Sequence, residues 1–160
     1  MRLHSVTVRN YRLHRDLTVR LDPERTLIGG ANETGKSTLV EAIHRALFLR
    51  AKGNTDAHRA MESTLHPGKP EVELEFEADG TTYRVHKRFS GTSGTVRLTG
   101  DRGTVLNGDE AEEALARLLR VEPAGNANVA RQQWAHVWVW QGLSGDDPAR
   151  HANEQKDALL

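Results

Sequence analysis

Hydrophobic and polar residues alternate along three stretches of the chain, residues 3–9, 17–21 and 71–78. Alternation with a period of two is typical of β-strands that bury one face. The pattern is strictest over 71–78, where four glutamates face away from the apolar residues Val72, Leu74 and Phe76. The three stretches predict strands of an antiparallel sheet.

A hairpin is predicted directly after the glutamate-rich strand. Asp79-Gly80 is a common two-residue turn, and it leads into a strand over 81–89. The apolar face of this strand carries Tyr83, Val85 and Phe89. Its outward face carries Arg84, His86 and Arg88. We therefore predict charge pairs with the glutamates across the hairpin.

Two segments have hydrophobic residues at helical spacing. The first covers about 36–50, and Gly53-Asn54 follows as a stop signal. The second follows Asp109, with Glu112 at the position that a capping box requires. The polar segment 51–70 between them predicts a long loop. Glycine clusters at 91–94 and 100–103 separate two more short strands before the second helix.

The C-terminal fifth of the chain predicts one more strand and the start of a helix. Residues 134–141 place three tryptophans on one strand face, and Asp147-Pro148 is a typical helix start. Tryptophans in this pattern are more often core residues than base-stacking residues.

Composition removes several classes of function. The chain has 22 basic and 22 acidic residues, so it carries no overall positive charge for nucleic acid. It has no Cys, which excludes a disulfide framework and a thiol nucleophile, and its eight His show no metal-ligand spacing. No apolar stretch is long enough to span a bilayer, and we expect a single cytoplasmic domain.

The motif that carries chemistry is Gly30–Ser37, which matches the phosphate-binding pattern G-x-x-x-x-G-K-S. Residues 25–28 predict a buried strand before it, and the first helix follows it without a gap. Backbone N–H groups and the positive end of the helix dipole converge there on a space suited to an anion. We expect Lys36 to reach the β- and γ-phosphates, Ser37 to hold Mg²⁺, and Thr38 to touch the α-phosphate.

Hydrolysis needs more than this loop. A strand of four apolar residues that ends in Asp or Glu would hold the metal ion, and the sequence contains none. Nucleotide binding is therefore better supported than catalysis by this chain alone.

Residues 6–12, 30–43 and 138–142 resemble the N-terminal lobe of SMC-like ABC ATPases, which include the SbcC-type, RecF and RecN proteins. The resemblance implies an α/β P-loop NTPase fold, an ABC-type head lobe with an antiparallel β-subdomain. It implies that Arg12 contacts nucleotide phosphate, with Arg9 as a weaker candidate. It implies that Gln141 completes the metal shell with the attacking water, so that Lys36 and Gln141 are catalytic. The implied ATP-binding residues are Arg12, Asn32, Glu33, Thr34, Gly35, Lys36, Ser37 and Thr38, and the metal ligands are Ser37 and Gln141.

The resemblance also implies an assembly. Residues 1–160 would form one lobe, with residues 147–160 as the start of a helix that leads to a coiled coil. A C-terminal lobe of the same or a partner chain would complete the head, and two heads would bind two ATP between them. The implied work is DNA repair, DNA processing or defence, with DNA and a nuclease subunit as partners and no membrane.

Several alternatives remain open. The chain could be the nucleotide-binding domain of an ABC transporter, or a nucleotide-dependent assembly switch that does not hydrolyse ATP. Residues 143–147 resemble the start of the ABC signature, but a polar turn that caps the next helix is the better interpretation. His58 is a weak candidate for contact with adenine.

Overall fold

The computed structural model describes residues 1–122, 124, 129, 130, 133 and 134. In this part of the chain six strands form one antiparallel sheet in the order β2-β1-β3-β4-β5-β6. The strands are β1 Arg2–Tyr11, β2 His14–Arg20, β3 Glu71–Ala78, β4 Thr81–Arg88, β5 Thr95–Gly100 and β6 Val105–Asn107. The helices are α1 Lys36–Phe48, α2 Asp56–Arg59 and α3 Gly108–Leu119, with a single 3₁₀ turn at Gly91–Ser93.

The hairpin between β3 and β4 confirms the strand prediction. Asp79 and Gly80 have φ angles of 50° and 70°, as a two-residue turn that follows the twist of the strands requires. The register pairs Phe76 with Tyr83 and Glu75 with Arg84. The other predicted strands of the sheet, over 3–9 and 17–21 and after the two glycine clusters, are also present.

One face of the sheet forms the core together with α1 and α3. Val72, Leu74 and Phe76 are fully buried, as the alternation predicts. From the helices, the residues that pack against this face include Leu39, Ile43, Leu47, Leu115 and Leu119. Burial of each such side chain contributes about 1.5–3 kcal/mol, so this face accounts for most of the stability of the lobe.

The other face of the hairpin carries the predicted charge pairs. Arg84 lies 2.7 Å from Glu75, Arg88 lies 3.4 Å from Glu71, and His86 lies 3.2 Å from Glu71. These groups are partly exposed, and each such pair contributes at most about 1 kcal/mol. They place the guanidinium groups of Arg84 and Arg88 beside carboxylates across the hairpin.

The predicted buried strand over 25–28 is wrong. This segment has no regular secondary structure, and Leu27 is 96% exposed. β1 is already paired on both edges, by β2 and β3, and the segment does not pair along the free outer edge of β2 or of β6. An apolar run predicts a strand, but the run alone does not supply the backbone pairing that a strand requires.

The segments beyond the core differ from their predictions in smaller ways. Helix α1 ends at Phe48, before the predicted stop, and the long loop over 51–70 contains α2. Trp134 lies in a turn at φ 52°, so the predicted strand does not begin there, and its ring packs edge-on against Phe48. The remainder of that strand and the predicted helix over 147–160 lie outside the described residues.

A buried ion pair ties α3 to the sheet and to the end of α1. The Lys87 ammonium, on the core face of β4, donates to Glu112 at 2.6 Å and to the Leu49 carbonyl at 2.7 Å. The second Glu112 oxygen accepts the Ala51 N–H at 2.7 Å. Burial lowers the pKa of Lys87, and the Glu112 carboxylate opposes that shift. Three segments that are distant in sequence therefore meet at one carboxylate.

This contact corrects the capping prediction for Glu112. Asn107 occupies the N-cap position of α3, and its side chain makes no capping hydrogen bond. Glu112 is 7% exposed and is directed into the core, where Lys87 and Ala51 bind both of its oxygens. In a capping box the glutamate reaches back to the N-cap backbone N–H, whereas both oxygens of Glu112 bind groups outside α3.

We predict that Glu112→Leu destabilises the fold by about 3–5 kcal/mol, because the Lys87 charge loses its buried partner. Glu113→Leu, at the exposed neighbouring position, should change stability by less than about 0.5 kcal/mol. Adding Lys87→Met to Glu112→Leu should restore part of the loss. Urea unfolding followed by circular dichroism measures all three variants. Equal effects of the two leucine variants would contradict a stabilising role of the Lys87–Glu112 ion pair.

Candidate functional site

The glycine motif forms an exposed loop that runs directly into α1. Residues 29–34 are exposed, and Glu33 and Gly35 have left-handed φ angles of 65° and 89°. Gly35 is the residue that precedes the first turn of α1. The loop therefore turns sharply twice before the helix begins, and the second turn occurs at a residue without a side chain.

Unpaired backbone donors are gathered at the end of this loop. The first hydrogen bond of α1 runs from the Leu39 N–H to the Gly35 carbonyl at 2.9 Å. Within the part of the chain that the structure describes, the N–H groups of Lys36, Ser37 and Thr38 donate to no acceptor. Three donors at the positive end of a helix dipole suit an anion.

The Lys36 side chain folds back over the loop. Its ammonium donates to the Gly30 carbonyl at 2.8 Å and to the Ala31 carbonyl. The Thr34 hydroxyl donates to the same Ala31 carbonyl at 2.9 Å, which closes the loop. An ammonium group has three N–H donors, so one of them is left for a ligand oxygen.

The two hydroxyls after Lys36 differ in exposure. Ser37 is exposed at the start of α1, where a metal ion or a phosphate can reach it. Thr38 is 8% exposed, so its side chain belongs largely to the core. A phosphate contact from Thr38 would consequently come from its backbone N–H.

Arg12 lies in the two-residue turn between β1 and β2, at φ 49°. Its guanidinium donates to the Ala60 carbonyl at 2.9 Å and pairs with Glu41 of α1 at 2.8 Å. The structure thus places the turn beside the helix that follows the loop. Arg9, the weaker candidate, pairs with Asp16 of β2 at 3.6 Å on the outer surface.

Tyr11 lies buried beneath this turn. Burial, reinforced by the negative charge of Glu41, raises the pKa of the Tyr11 phenol far above its usual value. The phenol therefore stays protonated at any physiological pH and serves as a core residue. Glu41 is engaged by Arg12 and by Arg45, four residues along the same helix.

Sequence reasoning missed the contact between the β1–β2 turn and the loop. The His14 Nε2 atom lies 3.1 Å from the Gly35 carbonyl oxygen. A Cβ atom at Gly35 would lie 2.6 Å from the His14 ring and 2.9 Å from Leu13. The sequence feature that could have indicated this contact is Gly35 itself, since a glycine at this position of the motif allows another segment to pack closely against the backbone.

Other candidate residues fall elsewhere. His58 is 5% exposed and its ring nitrogens contact the Thr55 hydroxyl and the Arg50 carbonyl, so its polar atoms are already bound. Gln141 and residues 143–147 lie outside the described residues. Among the described residues no cluster of His, Asp and Glu could hold a metal ion, and no helix is long and apolar enough to cross a membrane.

Residues 5–132 match the family model described as AAA domain. The chain belongs to this AAA domain family. It is the N-terminal lobe of an SMC-like ABC ATPase head, and the resemblance noted in its sequence is confirmed. The sheet, the helices and the loop of the AAA domain together form an α/β P-loop NTPase lobe with an antiparallel sheet.

The relatives of this AAA domain are much longer proteins. The "DNA double-strand break repair Rad50 ATPase" of Halobacterium salinarum is 30% identical over 135 residues, which are 81% of this chain and 15% of the relative. The protein of the same name from Methanococcus maripaludis is 28% identical over 76% of this chain and 12% of its own length. The chain thus spans less than a fifth of the curated relatives it matches.

A solved structure supports the fold of this AAA domain. It comes from work on the ATP-driven dimerization and DNA-stimulated activation of SMC ATPases, and it matches with a TM-score of 0.59 over 100% of both chains. The sequence identity is 14%, so the match establishes the fold alone.

We predict that Gly35→Ala costs about 1–3 kcal/mol more stability than Gly103→Ala. Gly103 has nearly the same φ angle, 87° against 89°, but a Cβ atom there meets nothing within 4 Å. Both variants carry the backbone strain of a left-handed alanine, and only Gly35→Ala adds collisions with His14 and Leu13. Thermal unfolding of the pair isolates those collisions. Equal losses would show that the turn and the loop are not in contact.

Proposed function

We propose that this chain binds ATP with Mg²⁺ at Gly30–Ser37, as the N-terminal half of a head that hydrolyses ATP after a C-terminal lobe completes it and two heads dimerise. The observation that supports ATP binding is the group of three unpaired backbone donors at the start of α1, with the Lys36 ammonium beside them. A triphosphate supplies the negative charge and the acceptors that these donors lack.

The residues present fit a magnesium nucleotide. Lys36 would use its third N–H on a phosphate oxygen, and the exposed Ser37 hydroxyl would hold the metal ion. The loop residues 32–35 would surround the phosphates with backbone groups. When bound, Mg²⁺ neutralises the charge that develops on the phosphates. Arg12, braced by Glu41, is our candidate for a further phosphate contact.

Hydrolysis requires groups that the described residues do not supply, because they hold no acidic cluster for a metal ion. Gln141 remains our candidate for the metal shell and the attacking water. We infer that a C-terminal lobe brings the rest, and that it covers the exposed segment just before the loop. Leu27 in that segment is 96% exposed, so its side chain is available for such a contact.

The same proposal includes the cellular role. Two relatives are named for DNA double-strand break repair, which favours DNA as the partner and repair, processing or defence as the process. We place the assembled head in the cytoplasm, with a nuclease subunit as a further partner and a coiled coil after this lobe. The names of the relatives favour this head over a transporter domain.

We predict that Lys36→Ala weakens binding of Mg-ATP by about 100-fold, because a charged hydrogen bond to phosphate is lost. The fold should survive, since Lys36 lies at the surface and contacts only the loop. Lys52→Ala removes an equal charge from an exposed position and should bind as the unmodified chain does. Isothermal titration calorimetry measures both. Unchanged affinity of Lys36→Ala would refute the assigned loop.

We predict that the chain alone turns over ATP negligibly, and that turnover rises when the C-terminal lobe of the same protein is added. Phosphate release measured against lobe concentration tests this. Lys36→Ala mixed with the same lobe should stay inactive. ATP binding without any turnover at saturating lobe would favour the alternative of an assembly switch.

A further inference from the structure

His14 makes a contact with the loop that the proposed function does not use. It is the first residue of β2, and its Nε2 atom lies 3.1 Å from the Gly35 carbonyl oxygen. A carbonyl oxygen only accepts hydrogen bonds, so Nε2 must carry a proton and donate it. The contact therefore fixes which ring nitrogen of His14 is protonated.

The Gly35 carbonyl belongs to the same peptide unit as the Lys36 N–H. In a trans peptide these two groups point in opposite directions, and no peptide bond in the described chain is cis. Whatever holds the Gly35 carbonyl also sets the direction of the Lys36 N–H. That N–H is one of the three unpaired donors at the start of α1.

Two donors hold this carbonyl from different segments. The Leu39 N–H donates from within α1 at 2.9 Å, and His14 donates from the sheet. Gly35 is at φ 89° and has no side chain to restrict it, so its peptide unit needs such restraints to keep one orientation. With the Leu39 hydrogen bond alone, the Gly35 peptide unit could still rotate about the axis of that bond. The second hydrogen bond, from His14, prevents this rotation.

The backbone that carries the His14 ring is itself held in place. His14 pairs with Tyr11 across the two-residue turn, and the His66 ring contacts the carbonyl of the preceding residue, Leu13, at 3.3 Å. The ring lies only 2.6 Å from the position that a Cβ atom of Gly35 would take. The donor is therefore positioned before any ligand arrives.

We propose that His14 is a positioning residue that, through the Gly35 carbonyl, directs the Lys36 backbone N–H toward a bound phosphate. This inference deepens the proposed nucleotide site and rests on it. A positioning role can be distinguished from a packing role. A ring of similar shape without a hydrogen-bond donor would still pack against Gly35, but it would not hold the Gly35 carbonyl. Gln provides an N–H donor at a similar reach and would restore the contact.

The test compares His14→Phe with His14→Gln in the full chain. Binding of Mg-ATP is measured by calorimetry, and the Lys36 amide is followed in ¹⁵N-resolved spectra without nucleotide. His4→Phe, at the other end of the sheet strand β1, is the matched control. His14→Asn replaces His14→Phe if the latter does not fold, since its amide is too short to reach Gly35.

We expect His14→Phe to bind Mg-ATP about tenfold more weakly, with a shifted Lys36 amide, and His14→Gln to stay within about threefold of the unmodified chain. Wild-type affinity and an unmoved Lys36 amide in His14→Phe would overturn the inference, even where Lys36→Ala loses binding. If the unmodified chain binds no ATP, the proposed function fails, and the Lys36 amide still decides whether His14 positions it.

Discussion

Helix α1 packs on the apolar face of the sheet beside α3, and its first residue is also the lysine of the glycine loop. A helix is stiff, so the packing of Leu39, Ile43 and Leu47 against the core sets where the loop stands. At the other end, the carbonyl of Leu49 accepts the buried Lys87 ammonium, which Glu112 neutralises. Apolar packing therefore holds α1 along its length, and one buried ion pair holds the chain just after the C-terminal end of α1. Every donor that the loop presents depends on that placement.

The β1–β2 turn is the second support of the loop. It brings Arg12 into contact with Glu41 on the side of α1. It also brings His14 into contact with the carbonyl of Gly35, the residue just before α1. Both contacts come from a turn whose first residue is left-handed, a conformation that costs energy for arginine and that the surroundings must hold. The segment just before the loop has no such support, and Leu27 remains exposed. The loop is thus supported by contacts with the turn, and the segment before it is exposed on the side where we propose that another lobe binds.

Elements that depend on local pattern were predictable from the sequence. The β3–β4 hairpin follows from strict alternation around Asp79-Gly80, and α1 follows from the spacing of its apolar residues. Elements that depend on distant partners were not. Residues 25–28 have the composition of a strand but pair with none of the described strands, and Lys87 occupies a core position because Glu112, 25 residues away, neutralises it. At the site, the motif predicts the loop, whereas the contact of His14 with Gly35 arises only from the way the sheet folds back.

The central claim is that the loop at the start of α1 is where this lobe binds nucleotide. Titration of the ¹⁵N-labelled chain with Mg-ATP, followed by amide chemical shifts, tests it most directly. The account predicts large shifts for residues 30–38, smaller ones for the turn at 12–14, and none for β5 and β6. Saturable binding that leaves residues 30–38 unmoved, or shifts centred on another part of the described chain, would contradict it.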